Sequence, residues 1–250
     1  MSRYLKQARD ALSKDFVPNN LGPKHINREE LLNYNSFISK SLFDSQDDEL
    51  ILVADGTYCY CQKSFNNTFQ RKSYSVQKGR HLVKPFVICA TDGYIVDIYG
   101  LFEASKNDAT ILSTLLETNE DLKSILRDND TFVLDRGFRD CVKDLKERHK
   151  LNVKMPALLL KNEKQLNSED ANLSRFVTKV RWVVEVVNTF LKNSFKALKH
   201  VANKSLPHTF EDYKIAGSLI NKFFRRLFSD QDDQTAIVEN MKKTSTKERT

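Results

Sequence analysis

A 250-residue chain with 40% apolar and 29% charged residues can bury one sizeable core, and no stretch approaches the roughly 18 apolar residues of a membrane helix. Lys and Arg exceed Asp and Glu by 40 to 33, giving a net charge of +7 and a pI near 9.1, a balance that points to an anionic partner such as nucleic acid. Cys59, Cys61, Cys89 and Cys141 form no CxxC pair and have no histidine at zinc spacing, so they read as reduced thiols of an intracellular chain.

The opening MSRYLKQARD has no apolar core of signal-peptide length. Residues 1–48 read as a helical lead-in of two segments, RYLKQARDALSKDF and INREELLNYNSFISKSLF, separated by the Pro and Gly of VPNNLGPK. The polar DSQDDE then gives way to LILVA, a short apolar run that reads as a buried strand delivering Asp55 at its end, with Gly56 to turn the backbone. Residues 57–63 alternate as a strand, and SFNNTFQRKSYSVQKGRH follows as a basic, aromatic hairpin or loop. Residues 84–91 and 94–101 are two strands joined by Asp92-Gly93, a strong hairpin signal.

Asn107-Asp108 caps a helix through about Leu116, and TFVLD repeats the earlier design, an apolar strand ending in an acid, Asp135, followed by Arg136-Gly137. A charged helix (RDCVKDLKERHK), a short strand (LNVKM) and a polar connector (KNEKQLNSEDAN) lead to the helix RWVVEVVNTFLK. TFEDYKIAGSLINKFFRRLF is a C-terminal packing helix within residues 205–229, and the polar tail, residues 230–250, is expected to fray. Residues 49–204 thus read as three antiparallel strands, then helix, strand, helix, strand, helix. Right-handed crossovers would lay the fourth strand beside the first and bring both strand-end acids to one edge of the sheet. The expected class is α/β, a ribonuclease-H-like mixed sheet flanked by helices.

Residues 175–204 hold seven Lys or Arg and a single carboxylate, Glu185. On a helix, Thr178, Arg181, Glu185, Asn188 and Lys192 share one face, with Phe176, Val180, Val183, Val187 and Phe190 opposite. Each acid has a plain structural role open to it: Arg181 and Glu185 can pair at i, i+4, Asp55 and Asp135 suit turns, and Asp108 suits a helix cap. Their repeated context supports a sharper role. Converging carboxylates repel and need a cation, and oxygen-only ligands select Mg2+ or Mn2+; two such ions suit in-line attack on a phosphodiester. Residues 63–84 add six basic residues and no acid, so Arg71, Lys72, Lys78 and Arg80, with Arg181 and Lys192 on the later helix, are the candidate DNA contacts.

VADGTY around Asp55, NDATIL at Asp108, VLDRGF around Asp135 and RWVVEVVNTFLK around Glu185, together with YCYCQKSFNNTFQRKSYS, resemble the DDE endonuclease domain of PIF/Harbinger-type transposases over roughly residues 25–228. The resemblance implies that Asp55, Asp135 and Glu185 bind two Mg2+ or Mn2+ ions and catalyse cleavage and transfer of DNA phosphodiesters, with Asp108 a fourth ligand. Arg181, Glu185 and Lys192 match the spacing of an Arg, Glu, Lys motif in related bacterial transposases, although Thr178 stands where those have tyrosine. Implied partners are double-stranded DNA, as transposon ends and target, and a separate Myb-like recognition protein or a further domain. A nuclear location and a homo-oligomer are compatible with this, and a membrane is not. A domesticated DNA-binding protein without cleavage activity is the alternative. A haloacid-dehalogenase phosphatase also ends a strand in DGT, but Val53 occupies the position of its nucleophile.

Overall fold

Alternation within the apolar runs builds the centre of the molecule. In the computed structural model, which describes residues 3–158, 165–227 and 231–246, LILVADG supplies strand β1 (Ile51–Gly56). Ile51 and Val53 enter one core layer while Leu50, Leu52 and Ala54 enter the other, the two-residue period that a strand imposes. Strands β2 (Cys59–Cys61), β3 (Tyr74–Ser75), β4 (Arg80–Ala90), β5 (Ile95–Glu103), β6 (Thr131–Val133), β7 (Asn152–Lys154) and β8 (His200–Val201) complete an eight-stranded mixed sheet.

The central order is β5–β4–β1–β6–β7. Strand β4 runs antiparallel to β5 and β1, β6 is parallel to β1, and β7 is parallel to β6. The fourth major strand therefore lies beside the first, as the crossover rule anticipates, with Val53 opposite Val133. The β4–β5 turn is Asp92-Gly93, where Gly93 takes a φ of 95° that other residues resist and the Asp92 carboxylate accepts from Tyr94 N at 2.8 Å. Strand β4 is longer than the sequence suggests. Its first half leaves β1 and pairs with β2, Cys59 opposite Val83; between the two stretches the β4–β5 ladder is broken at Lys84–Phe86, where Pro85 has no N–H to give and its carbonyl accepts from Thr57 N.

Helices cover both faces. The first core layer packs against α3 (Phe37–Phe43), the 27-residue α8 (Ser168–Ser194), α9 (Thr209–Phe223) and α10 (Gln231–Thr246). The second packs against α2 (Arg28–Leu32), α5 (Asp108–Thr118), α6 (Glu120–Ile125) and α7 (Val142–Glu147). Helix α1 (Arg3–Ala11) buries no residue and is held by Arg9, whose Nε donates to Asp212 on α9 at 2.7 Å.

Several expectations change in the folded chain. The second lead-in segment breaks into α2 and α3, because Asn35 Nδ2 donates to Glu49 O while its Oδ1 accepts from Ile51 N, and Ser36 caps α3. The strand expected over residues 57–63 keeps only Cys59–Cys61, and the basic loop contains a helix, α4 (Asn67–Ser73), capped by Asn66. The tail expected to fray over residues 230–250 holds α10, which seats Val238 in the core; residues 230 and 247–250 lie outside the described residues. The lead-in is pinned to the sheet by a buried ion pair: Arg28 donates to both oxygens of Asp130 at 2.6 and 2.7 Å, and Asp130 also accepts from Leu50 N.

Candidate functional site

Parity places the first two acids. Val53 and Val133 are register partners on adjacent parallel strands, and both belong to the core layer beneath α8. Asp55 and Asp135 each follow two residues later, so both side chains leave the same face at neighbouring strand ends. Asp135 also starts a 3-10 turn (Arg136–Cys141), accepting from Gly137 N at 2.6 Å. Gly56, of opposite parity, faces α5. Asn107 caps that helix and puts Asp108 at its first position, where the Asp108 carboxylate packs so closely that a Cβ on Gly56 would stand 2.3 Å from its Oδ1. Asp108 Oδ1 lies 2.7 Å from Nζ of Lys84, a buried lysine that also donates to Lys106 O.

Helix α8 brings the rest. Its buried stripe is Val177, Val180, Val183, Val184, Val187, Asn188 and Leu191, wider than the sequence reading and including an amide. Asn188 Nδ2 donates to Asp55 Oδ2 at 3.2 Å, while Asn188 Oδ1 is buried without a hydrogen-bond partner. One turn earlier, Glu185 is half exposed and accepts from Arg181 at 2.7 Å, the i, i+4 pair that its spacing allows. One turn later, Lys192 is half-buried.

These positions act on one another electrostatically. Burial pushes the Asp55 carboxyl from 3.8 up to about 7, and the negative charges of Asp108, Asp135 and Glu185 add to the rise while Arg181 opposes it. Burial lowers the Lys192 ammonium, opposed by Cys59 and Asp55. Tyr58 is raised by burial and by Asp108, Asp55 and Asp135 in turn.

The four acids thus share a region, but among the described residues no three His, Cys, Asp or Glu side chains are gathered closely enough to hold a metal ion. Asp108 is turned to Lys84, Asp135 to a backbone amide and Glu185 to Arg181. The donor set still fits a hard divalent cation: every acid offers oxygen, Asp55 is largely buried and has no ion pair among the described residues, and the orphaned Asn188 oxygen lies beside it.

The candidate DNA contacts fall into two groups. Arg71 and Lys72 end α4, where Lys72 is occupied by Glu103 at 2.7 Å. Lys78 Nζ lies 5.0 Å over the Tyr58 ring and Arg80 Cζ 5.5 Å over the Tyr60 ring. Arg181 and Lys192 adjoin the acids from α8. Sequence reasoning assigned no role to Asn188, Lys84 or the two tyrosines. The available signals were an amide on the Glu185 face and a lysine inside the apolar run of β4. All four cysteines are free and buried.

No curated protein matches the chain. Among solved structures, the piggyBac transposase synaptic complex with hairpin DNA, determined by cryo-EM, is similar with a TM-score of 0.45 and 9% identity. The similarity covers 79% of this chain and 52% of that one, so this chain spans about half the length of that protein. The family described as DDE superfamily endonuclease matches residues 54–219, which contain Asp55, Asp108, Asp135 and Glu185. That match takes in more than half of the 250 residues, and the chain belongs to the DDE superfamily endonucleases.

Proposed function

We propose that the chain is a divalent-metal-dependent DNA endonuclease and strand transferase of a DNA transposon, of PIF/Harbinger type, built on a ribonuclease-H-like sheet. The observation that carries this is the juxtaposition of acids: Asp55 and Asp135 follow the paired Val53 and Val133, and Asp108 and Glu185 lie near enough to help hold Asp55 at about 7. The strand order β5–β4–β1–β6–β7 supports the ribonuclease-H-like part, and the four quoted motifs support the subtype.

Asp55, Asp135 and Glu185 would hold Mg2+ or Mn2+, with Asp108 as a fourth acid. Two such ions would supply Lewis-acid stabilisation of the attacking and leaving oxygens of an in-line displacement at phosphorus. The chain's own residues set the conditions. Asn188 orients Asp55, Lys84 holds Asp108 against Gly56, and Arg181 holds one oxygen of Glu185, leaving the other to serve as a ligand. Arg181 and Lys192 would hold phosphates beside the acids. Double-stranded DNA is the proposed substrate, the nucleus the proposed location, and a separate recognition protein or domain the proposed source of sequence choice. Among the described residues no helix is long and apolar enough to cross a membrane.

The ion pairs of Glu185 with Arg181 and Asp108 with Lys84 favour a second reading, a domesticated DNA-binding protein without cleavage activity. Plasmid nicking in Mg2+ or Mn2+ separates the two. Nicking by the wild-type chain that is lost in Asp135→Asn, with folding retained by circular dichroism, is expected; a chain that binds DNA but never nicks in either metal overturns the proposal.

A further inference from the structure

The outer face of β2 leads from the basic hairpin into the acids. Cys59 and Cys61 of β2 are buried and Tyr60 between them is turned to the other side, while Tyr58 stands just before the strand; both rings are half-buried. The β3–β4 turn, residues 76–79, folds back over that face and sets Lys78 above the Tyr58 ring and Arg80 above the Tyr60 ring. Tyr58 is close enough to Asp55, Asp108 and Asp135 for their charges to suppress its ionisation. Among the described residues, neither Lys78 nor Arg80 forms an ion pair, and residues 63–84 contain no acid.

We propose that the Tyr58–Lys78 and Tyr60–Arg80 pairs are two rungs of a track that holds the phosphate backbone of the DNA strand entering the acid centre. The proposal rests on the endonuclease reading and adds the surface and the manner of recognition. Each ring holds a long, flexible cation in place by cation–π attraction, so less rotamer freedom is lost when a phosphate arrives. Each cation covers one face of its ring, and the groups offered to a strand on that side are an ammonium and a guanidinium. The track therefore reads backbone without regard to sequence. Tyr58 and Tyr60 are positioning residues, acting through Lys78 and Arg80.

The test is the anisotropy of a labelled random-sequence duplex, titrated with the full chain in chelator across a range of salt. Lys78→Gln and Arg80→Gln should each weaken binding and lower the slope of log K against log salt by about 0.9. Tyr60→Leu should weaken binding about two- to fivefold with the slope kept, and Tyr60→Phe, which keeps the ring, should bind as the wild type does. Lys146→Gln, an exposed lysine of α7, should change nothing specific to the track. Wild-type slopes in both cation variants, or a Tyr60→Phe variant as weak as Tyr60→Leu, would overturn the proposal. Plasmid nicking by the wild type is read separately: its absence with the expected slopes sinks the endonuclease reading and not the track, and the reverse result sinks the track alone.

Discussion

Asp55→Asn should stabilise the metal-free chain, and by an amount that depends on pH. In the folded state the Asp55 carboxyl is raised from 3.8 to about 7, first by burial and then by Asp108 and Asp135. Between about pH 4 and 7 the unfolded chain has released this proton while the folded chain keeps it, so the folded state binds more protons and its stability falls as pH rises through that window. Above pH 7 the full penalty stands. A rise of about three units at about 1.4 kcal/mol each gives an upper bound near 4 kcal/mol.

Asparagine removes the charge and keeps an oxygen to accept from Asn188 Nδ2. With about 2–4 °C per kcal/mol for a chain of this size, the variant should melt up to about 8–16 °C above wild type at pH 8. The gap should narrow steadily toward pH 5. Thermal unfolding by circular dichroism in chelator at half-unit pH steps measures it. Added Mg2+ should close the gap by raising the wild-type midpoint, since an ion that binds only the folded state stabilises it by mass action. A variant that melts below wild type at pH 8 in chelator, or a gap that stays constant from pH 5 to 8, would refute the reasoning.

Asp130→Asn should cost about 3–5 kcal/mol in urea unfolding, because Arg28 is left with a buried, half-partnered charge; a loss under 1 kcal/mol would show that the pair is not what pins the lead-in. Gly56→Ala should push Asp108 away from β1, with a stability cost of about 1–3 kcal/mol and a larger loss of nicking than of DNA affinity; unchanged nicking would remove Asp108 from the site. Glu185→Ala should abolish nicking while holding or raising DNA affinity, since it frees Arg181, whereas Lys192→Ala should weaken binding and lower the salt slope by about one. Single-turnover nicking and anisotropy on the same two variants check this, and wild-type binding by Lys192→Ala would take that lysine off the DNA.

Much of the site's scaffold is local, which is why it was legible in residues alone. LILVAD and TFVLD each carry an acid two residues beyond an inward valine, and a period of two is enough to put both acids on one face of whatever sheet contains them. The cap at Asn107, the Asp92-Gly93 turn and the i, i+4 spacing of Arg181 and Glu185 are settled within four residues of chain, so side-chain chemistry alone names them. The helix in the basic loop is local too, capped by Asn66, but its polar surface hid it among turn residues.

Position across the fold depends on contacts that no window of sequence contains. That Val53 meets Val133, so that Asp55 and Asp135 stand level, follows from pairing strands nearly eighty residues apart through a helical crossover. Asn188 lies on the same helical face as Glu185, yet it is buried against Asp55 while Lys192 is half-buried and Glu185 stays half exposed, because the α8 valines pack that side of the helix onto the sheet. The same packing sets α10 on the core through Val238 in a tail whose polar composition suggested none. The sequence by itself determined which residues carry charge and which way each faces within its own element. Only the tertiary structure decided which charges share a dry space and which take a partner of their own, since burial and Coulomb energy depend on distance in space and on the water excluded there, not on separation along the chain.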